Sequence, residues 1–218
     1  MLKREIVQTA DGSASIRIPD WDESYHSRHG AIQEARHVFI ANGLDLFSGE
    51  VSILEMGFGT GLNALITFGH AIDRKLTISY TGVDHYPVTD AEAALLNYPA
   101  LLGHADIFKD MHERPWHVPQ MLAEHFTLTK IDRHFDDVHF SNEFDLVYFD
   151  AFGYRFQPNL WSEAIFCAMF NALKPGGMLV TYAARTAIRR NMEAAGFAVE
   201  KLPGPPGKRE MFRARKPI

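Results

Sequence analysis

Residues 53–65 read ILEMGFGTGLNAL, an apolar run that gives way to Glu55-Met56-Gly57-Phe58-Gly59-Thr60-Gly61 and then resumes at helical spacing. Glycine at every second position strips Cβ atoms from a strand-to-helix corner. Backbone can then pass close beneath a ligand, with a helix N-terminus beside it. The dinucleotide fingerprint Gly-x-Gly-x-x-Gly is not met: counted from Gly57 its third glycine falls on Leu62, one residue after Gly61. Asp84 ends the next apolar run, 23 residues beyond Gly61, where a carboxylate can hold two ribose hydroxyls. Asp132 follows a third run and could accept from an adenine amino group. Asp150 closes a fourth, FDLVYFD, at the edge where open α/β sheets bind ligands. A carboxylate there can orient a nucleophile or take its proton.

Such carboxylates meet only if their strands end side by side. Residues 51–55, 76–83, 126–131, 144–150 and 178–182 read as strands, the fourth apolar on both faces as a central parallel strand is. Helices are predicted over 62–71, from Thr89 or Asp90 to 96, over 161–173 up to Lys174-Pro175-Gly176-Gly177, and over 186–195 up to Gly196. Strands alternating with helices imply a doubly wound parallel sheet. Two final strands, 197–202 and 210–215, are joined only by the turn-rich PGPPGK and must pair antiparallel. At the front, 5–9 and 14–18 flank the hairpin signal Asp11-Gly12, and Ile32, Ala35, Val38 and Phe39 recur at helical spacing before Asn42-Gly43. The expectation is an α/β fold resembling the Rossmann-like class I methyltransferases. It has a mostly parallel seven-stranded sheet with an antiparallel C-terminal hairpin strand. A small hairpin-and-helix extension occupies 1–45 and the domain proper 46–218. The histidine-rich stretch 103–140 is the least legible.

The chain has 218 residues, 46% hydrophobic and 22% charged, enough for a sizeable core. No apolar run approaches a membrane span, and the opening MLKREIVQ has no signal core. Cys167 is the only cysteine, so no internal disulfide can form; it sits in the apolar EAIFCAMF as a core thiol. A reducing, cytoplasmic setting is expected. The net charge of −5 conceals an asymmetry: from Arg185 onward nine basic residues face three acidic ones. A basic end on an acidic body fits a localised nucleic-acid footprint, and equally a solvated tail.

The run Glu-x-Gly-x-Gly-x-Gly resembles the S-adenosylmethionine motif of class I methyltransferases. That resemblance assigns Gly57, Phe58, Gly59, Thr60, Gly61 and Asn63 to the cofactor, with Glu55 accepting the methionine α-amine, Asp84 the ribose and Asp132 the adenine. Beyond it, YHSRHGAIQEARHVFI, YTGVDHYPV, FDLVYFDAF, QPNLW, LKPGGMLVTY and GFAVEKLPGPPGKREMFRA are similar to the stand-alone tRNA 5-methylaminomethyl-2-thiouridine methyltransferases (MnmD), relatives of the methyltransferase half of bifunctional MnmC. The resemblance implies methyl transfer from S-adenosylmethionine to the primary amine of 5-aminomethyl-(2-thio)uridine at the tRNA wobble position. It makes Asp150 the carboxylate facing that amine. Tyr25, His29 and Glu34 fall in a lid segment, Glu34 near the methionine moiety. Phe152, Tyr154 and Trp161 form an aromatic cluster for the splayed base or the sulfonium, although Trp161 at a helix start suits core packing equally. Arg189, Arg190, Lys208 and Arg209 would face tRNA phosphates without reading sequence.

Two departures from the family pattern stand out. Tyr182-Ala183-Ala184-Arg185-Thr186 replaces Tyr-Cys-Ala-Lys-Gly, and 218 residues leave no room for the FAD-dependent oxidase domain of the fused enzymes. A separate oxidase or the upstream wobble-uridine enzymes would then supply the substrate. No FAD is expected. No metal is expected either, since His26, His29 and His37 lack clustered cysteine or aspartate companions. Three other readings stay open: a methyltransferase of small-molecule or protein amines, a non-catalytic RNA- or S-adenosylmethionine-binding module, and a flavin or NAD oxidoreductase.

Overall fold

The computed structural model describes residues 3–218; Met1 and Leu2, which open the expected extension, lie outside the described residues. The chain runs through strands β1 (Glu5–Gln8), β2 (Ala14–Ile18) and β3 (Glu23–Ser24), then α1 (Ala31–Ala35), which continues as π-type helix to Ala41. Next come β4 (Glu50–Met56), α2 (Leu62–Arg74), β5 (Thr77–Asp84), α3 (Asp90–Ala93), α4 (Tyr98–Leu102) and α5 (Ala105–Glu113). They are followed by β6 (Gln120–Ala123), β7 (Phe126–Asp132), β8 (Phe144–Phe149), α6 (Glu163–Ala172), β9 (Leu173–Thr181), α7 (Thr186–Ala194), β10 (Ala198–Pro203) and β11 (Glu210–Arg215).

The main sheet has the order β10-β11-β9-β8-β4-β5-β7-β6. Strands β4, β5, β7, β8 and β9 pair in parallel, and β10–β11 return antiparallel against β9. The seven expected strands are present. An eighth, β6, adds an antiparallel edge to β7 from within the stretch that had no legible pattern. Its sequence, QMLA, is too short for a strand period to register. The chain order reverses between β4 and β8, so their carboxyl ends frame the crevice of an open α/β sheet. Both are buried toward those ends, with Ile53, Leu54, Met56, Leu146, Val147, Tyr148 and Phe149 at 0% exposure.

The small sheet β1-β2-β3 shares the core on one face of the main sheet, through Ala14 and Ile16 with Val38, Phe39 and Leu65. The histidine-rich segment lies behind the glycine corner: His112 Nε2 donates to Thr60 O (3.2 Å), and the buried Lys130 ammonium holds His112 O (2.6 Å). Several boundaries differ from expectation: α3 stops at Ala93 short of the expected 96, and α2 runs on to Arg74. Helix α6 starts only at Glu163, where Ser162 Oγ accepts from Ile165 N. The expected turn Lys174-Pro175-Gly176-Gly177 is instead the bulged opening of β9, clipped to the C-terminal end by Gly176 N to Lys216 O and Lys216 N to Gly177 O. Among the described residues no helix is long and apolar enough to cross a membrane.

Trp161 lies in a 3-10 turn (Pro158–Trp161) before α6 and is fully buried against Phe149 and Phe166. Its indole N–H donates to Phe152 O, and its own carbonyl accepts from Asn191 Nδ2, each at 2.8 Å. Through its indole and its main-chain carbonyl, this one residue ties the loop after β8 to the core and to α7. Trp161→Ala should lower unfolding free energy by about 3–5 kcal/mol, read by urea denaturation; a loss below about 1 kcal/mol would show that the loop is held without it.

Candidate active site

The corner after β4 is left-handed at each glycine: φ is +100° at Gly57, +51° at Gly59 and +73° at Gly61. A Cβ on Gly57 would lie 2.5 Å from Asp150 O, because β4 and β8 end in contact there. On Gly59 it would meet the Tyr25 ring at 3.3 Å. Asp84 closes the corner from β5, its Oδ2 accepting from Gly59 N and its Oδ1 from Tyr86 N, both at 2.8 Å. Burial raises the Asp84 pKa against these two N–H bonds. Above the corner opens a cavity of about 1300 Å³, walled by Tyr25, Glu34, Gly57, Phe58, Gly59, Thr60, Asn63, Asp84, Asp150 and Phe152 among others. A drug-sized ligand needs about 300–1,000 Å³, so this volume can take a nucleoside cofactor and a second reactant.

Asn63, in the first turn of α2, links two carboxylates. Its Nδ2 donates to Glu55 Oε1 at 2.8 Å and to Asp150 Oδ2 at 2.9 Å. Glu55 Oε2 accepts from Tyr80 OH at 2.8 Å. Glu55 is fully buried and absent from the cavity wall, so it underpins Asn63 where a direct contact to the methionine amine was expected. Burial pushes its carboxyl well above the usual range, with Asn63 and Tyr80 opposing. Asp150, on the wall, is pushed up to about 7 by burial and by the Glu34 charge, while Asn63 and Lys208 pull the other way.

The opposite wall comes from the N-terminal segment and the C-terminal hairpin. Tyr25 packs edge-on against Phe152 at 4.9 Å. Glu34, 8% exposed, accepts from Ser27 N at 2.9 Å and pairs with the Lys208 ammonium. That ammonium also sits 3.7 Å from the centre of the Tyr182 ring, whose hydroxyl donates to Ala151 O. Lys208 therefore reaches into the cavity, not out to a phosphate-facing edge. His26 touches Ser15 Oγ (3.0 Å) and Thr60 Oγ1 (3.4 Å), and burial drops its pKa to about 4, so it is neutral at physiological pH.

Other expected site residues stand elsewhere. Asp132 is exposed, engages His85 Nδ1 at 3.1 Å and does not line the cavity; His85 and His134, their ring centres 3.4 Å apart and their planes tilted by 39°, line that end instead. His29 is exposed against Gly207 outside the cavity. His37 contacts Pro203 O, so the three lid histidines diverge to separate partners. Trp161 is core, with no face open to a base. Tyr154 belongs to an adjoining cleft with Arg209, beneath the Arg185 guanidinium. Arg189 and Arg190 are exposed on α7, Arg189 paired with Glu193 at 2.7 Å. Sequence reasoning missed Arg4, His26, Tyr182 and Gln157, all on the wall. Arg4, which binds Tyr86 O and Pro87 O and pairs with Glu92, carries no motif at all.

The residues fit S-adenosylmethionine on two counts. The glycine corner has no Cβ to obstruct an adenosine. The oriented Asn63 amide leaves its Oδ1 buried without a partner among the described residues, an acceptor for an ammonium beside acidic Glu34 and Asp150. Gly57→Ala forces a side chain into Asp150 backbone at a positive φ, strain of about 1–3 kcal/mol. It should weaken S-adenosylhomocysteine binding about 10–100-fold by calorimetry, and unchanged affinity would remove the corner from the cofactor site.

Residues 106–217 match a family profile described as S-adenosyl-L-methionine-dependent methyltransferase. The bifunctional protein MnmC of Cupriavidus metallidurans, named for tRNA 5-methylaminomethyl-2-thiouridine biosynthesis, is 31% identical over 90% of this chain and 32% of its own length. Its counterpart from Aromatoleum aromaticum is 33% identical over 88% and 32%. The chain thus spans about a third of the length of the curated relatives it matches. The crystal structure of MnmC2 from Aquifex aeolicus superposes with a TM-score of 0.81 at 23% identity, over all of this chain and 73% of that one. Spermidine synthase from Thermotoga maritima shares the fold more distantly, with a TM-score of 0.57 at 13% identity. S-adenosylmethionine is the cofactor, and the chain belongs to the S-adenosyl-L-methionine-dependent methyltransferase family.

Proposed function

We propose that the protein methylates the primary amine of 5-aminomethyl-(2-thio)uridine at the wobble position of tRNA, giving the 5-methylaminomethyl nucleoside. The observation that carries this reading is Asp150, an elevated carboxyl on the wall of the cavity that holds the glycine corner. Similarity to the MnmC relatives over about nine-tenths of the chain supports tRNA as substrate. When bound, S-adenosylmethionine supplies a methyl group activated by its sulfonium.

The chain's own task is the nucleophile. An alkylamine with a pKa of about 10.4 arrives protonated and cannot attack. Enclosure by Phe152 and Tyr25 removes water and lowers that pKa. Asp150 Oδ2 is held by Asn63, which leaves Oδ1 to orient the ammonium nitrogen and accept its proton. A carboxyl near 7 can both hold that proton and release it to solvent after transfer. Positioning against an activated donor supplies most of the rate. Among the exposed cations, Arg189, Arg190 and Arg209 are offered to RNA phosphates outside the cavity.

The test is nucleoside mass spectrometry of tRNA bearing 5-aminomethyluridine after incubation with labelled S-adenosylmethionine. Label in the methylaminomethyl nucleoside is expected; label only in small amines would overturn the reading. Activity should also fall steeply with added salt, as phosphate contacts do.

Asp150→Asn should cut kcat about 10²–10⁴-fold while S-adenosylhomocysteine affinity holds. The active form is the carboxylate, so activity should fall as pH drops through about 7. Since the Glu34 charge raises this pKa, Glu34→Gln should move the acid limb to lower pH. A limb that stays in place, or moves up, contradicts Asp150 as the titrating base.

A further inference from the structure

Gln157 has no part in the chemistry above, yet it lines the same cavity as Asp150. Its Oε1 is buried, and no donor among the described residues reaches it. A carboxamide oxygen that has lost water without gaining a partner is destabilising unless a ligand supplies the missing donor. Its main chain is fixed from both sides: Gln157 N donates to Gly153 O and its carbonyl accepts from Leu160 N, each at 3.2 Å. Pro158 then opens the turn that Trp161 bolts to the core. The amide is therefore presented from a rigid loop. The same cavity is also lined by Phe135, Phe152 and Leu160, side chains suited to the faces of a planar ring.

A primary carboxamide sets one acceptor and one donor side by side. The Watson–Crick edge of a uracil is its complement, an N3–H flanked by exocyclic acceptors at C4 and C2. We propose that Gln157 is the residue that reads the target base, Oε1 accepting from N3–H and Nε2 donating to a neighbouring acceptor. This rests on the wobble-uridine reading and adds to it a source of base specificity. It needs no contact to the reacting amine, which leaves Asp150 free for the proton. Flipped bases are commonly held in this way, by stacking on aromatic faces and hydrogen bonds to that edge.

The test uses the intact protein and two anticodon stem-loops, one carrying 5-aminomethyluridine and one its N3-methyl derivative. On the first RNA, Gln157→Ala and the near-isosteric Gln157→Met should each lose about 10–100-fold in kcat/KM, with S-adenosylhomocysteine affinity unchanged. N3-methylation should cost the wild type a similar factor and the variants less than about threefold further, the non-additivity expected of a directly contacting pair. Losses that multiply, variants as active as wild type, or a parallel loss of cofactor affinity would each overturn the assignment. Wild type inactive on the first RNA would instead overturn the substrate reading, and this inference with it.

Discussion

One amide nitrogen holds the site together. Asn63 Nδ2 has two hydrogens and spends both on carboxylates, Glu55 beneath and Asp150 beside the cavity. Neither carboxylate oxygen can donate when ionised, so the amide orientation is dictated: nitrogen toward the acids, oxygen away. Tyr80 fixes the far side of Glu55, and the chain of contacts runs from β5 through β4 and α2 to the end of β8. A buried carboxylate is costly unless it is fully hydrogen-bonded. Glu55 has a partner on each oxygen, and that satisfaction makes it a rigid footing. Asp150 has one oxygen engaged by Asn63 and, on the proposed reading, the other left for the substrate nitrogen.

The close approach of β4 and β8 imposes the second constraint. Where two neighbouring parallel strands end, their following residues must diverge, and here Gly57 passes within van der Waals reach of the Asp150 backbone. Any side chain at Gly57 would separate the glycine corner from the carboxylate it must face. The reversal of strand order places that gap where helices α2 and α6 leave in different directions. Fold and site are thus set by the same packing. The lid completes the enclosure with no strand of the main sheet, through Tyr25 on Phe152 and Lys208 on Glu34 and Tyr182.

Much of this was legible in the sequence wherever local chemistry carried a unique signature. Three alternate glycines, Asp84 and Asp150 at strand ends and the PGPPGK hairpin turn all signal backbone geometry directly. Glu55 deceived because β4 is buried on both faces, and a strand without polar alternation does not reveal which way an acid points. Asp132 ends β7 in register with Asp84, one strand further from the switch point, so its side chain meets His85 before it can meet the cavity. Lys208 sits in a turn that reads as solvent-exposed, yet its stem is long enough to carry the charge inward. Arg4 and Tyr182 enter the wall through contacts across more than twenty residues of chain, which no short window of sequence contains, and Gln157, held by its near neighbours Gly153 and Leu160, sits in no chemistry-bearing pattern.

The charge asymmetry then acquires a spatial meaning. The cavity interior gathers Glu34, Asp84 and Asp150 with Glu55 just beneath, against Lys208 and Arg4. Lys208 is committed to Glu34, and Arg4 to Glu92 and two carbonyls. The balance that remains favours cations: a sulfonium, an α-ammonium and an alkylammonium all satisfy it, and a phosphate does not. On the proposed reading a polyanionic substrate is gripped outside the cavity, on the exposed arginines of α7 and of the turn before β11, which belong to the basic end of the chain. On the proposed reading, an acidic pocket beside these arginines admits the positively charged tip of a modified base while keeping its backbone out. On that same reading one RNA is attracted by the surface and oriented by the interior.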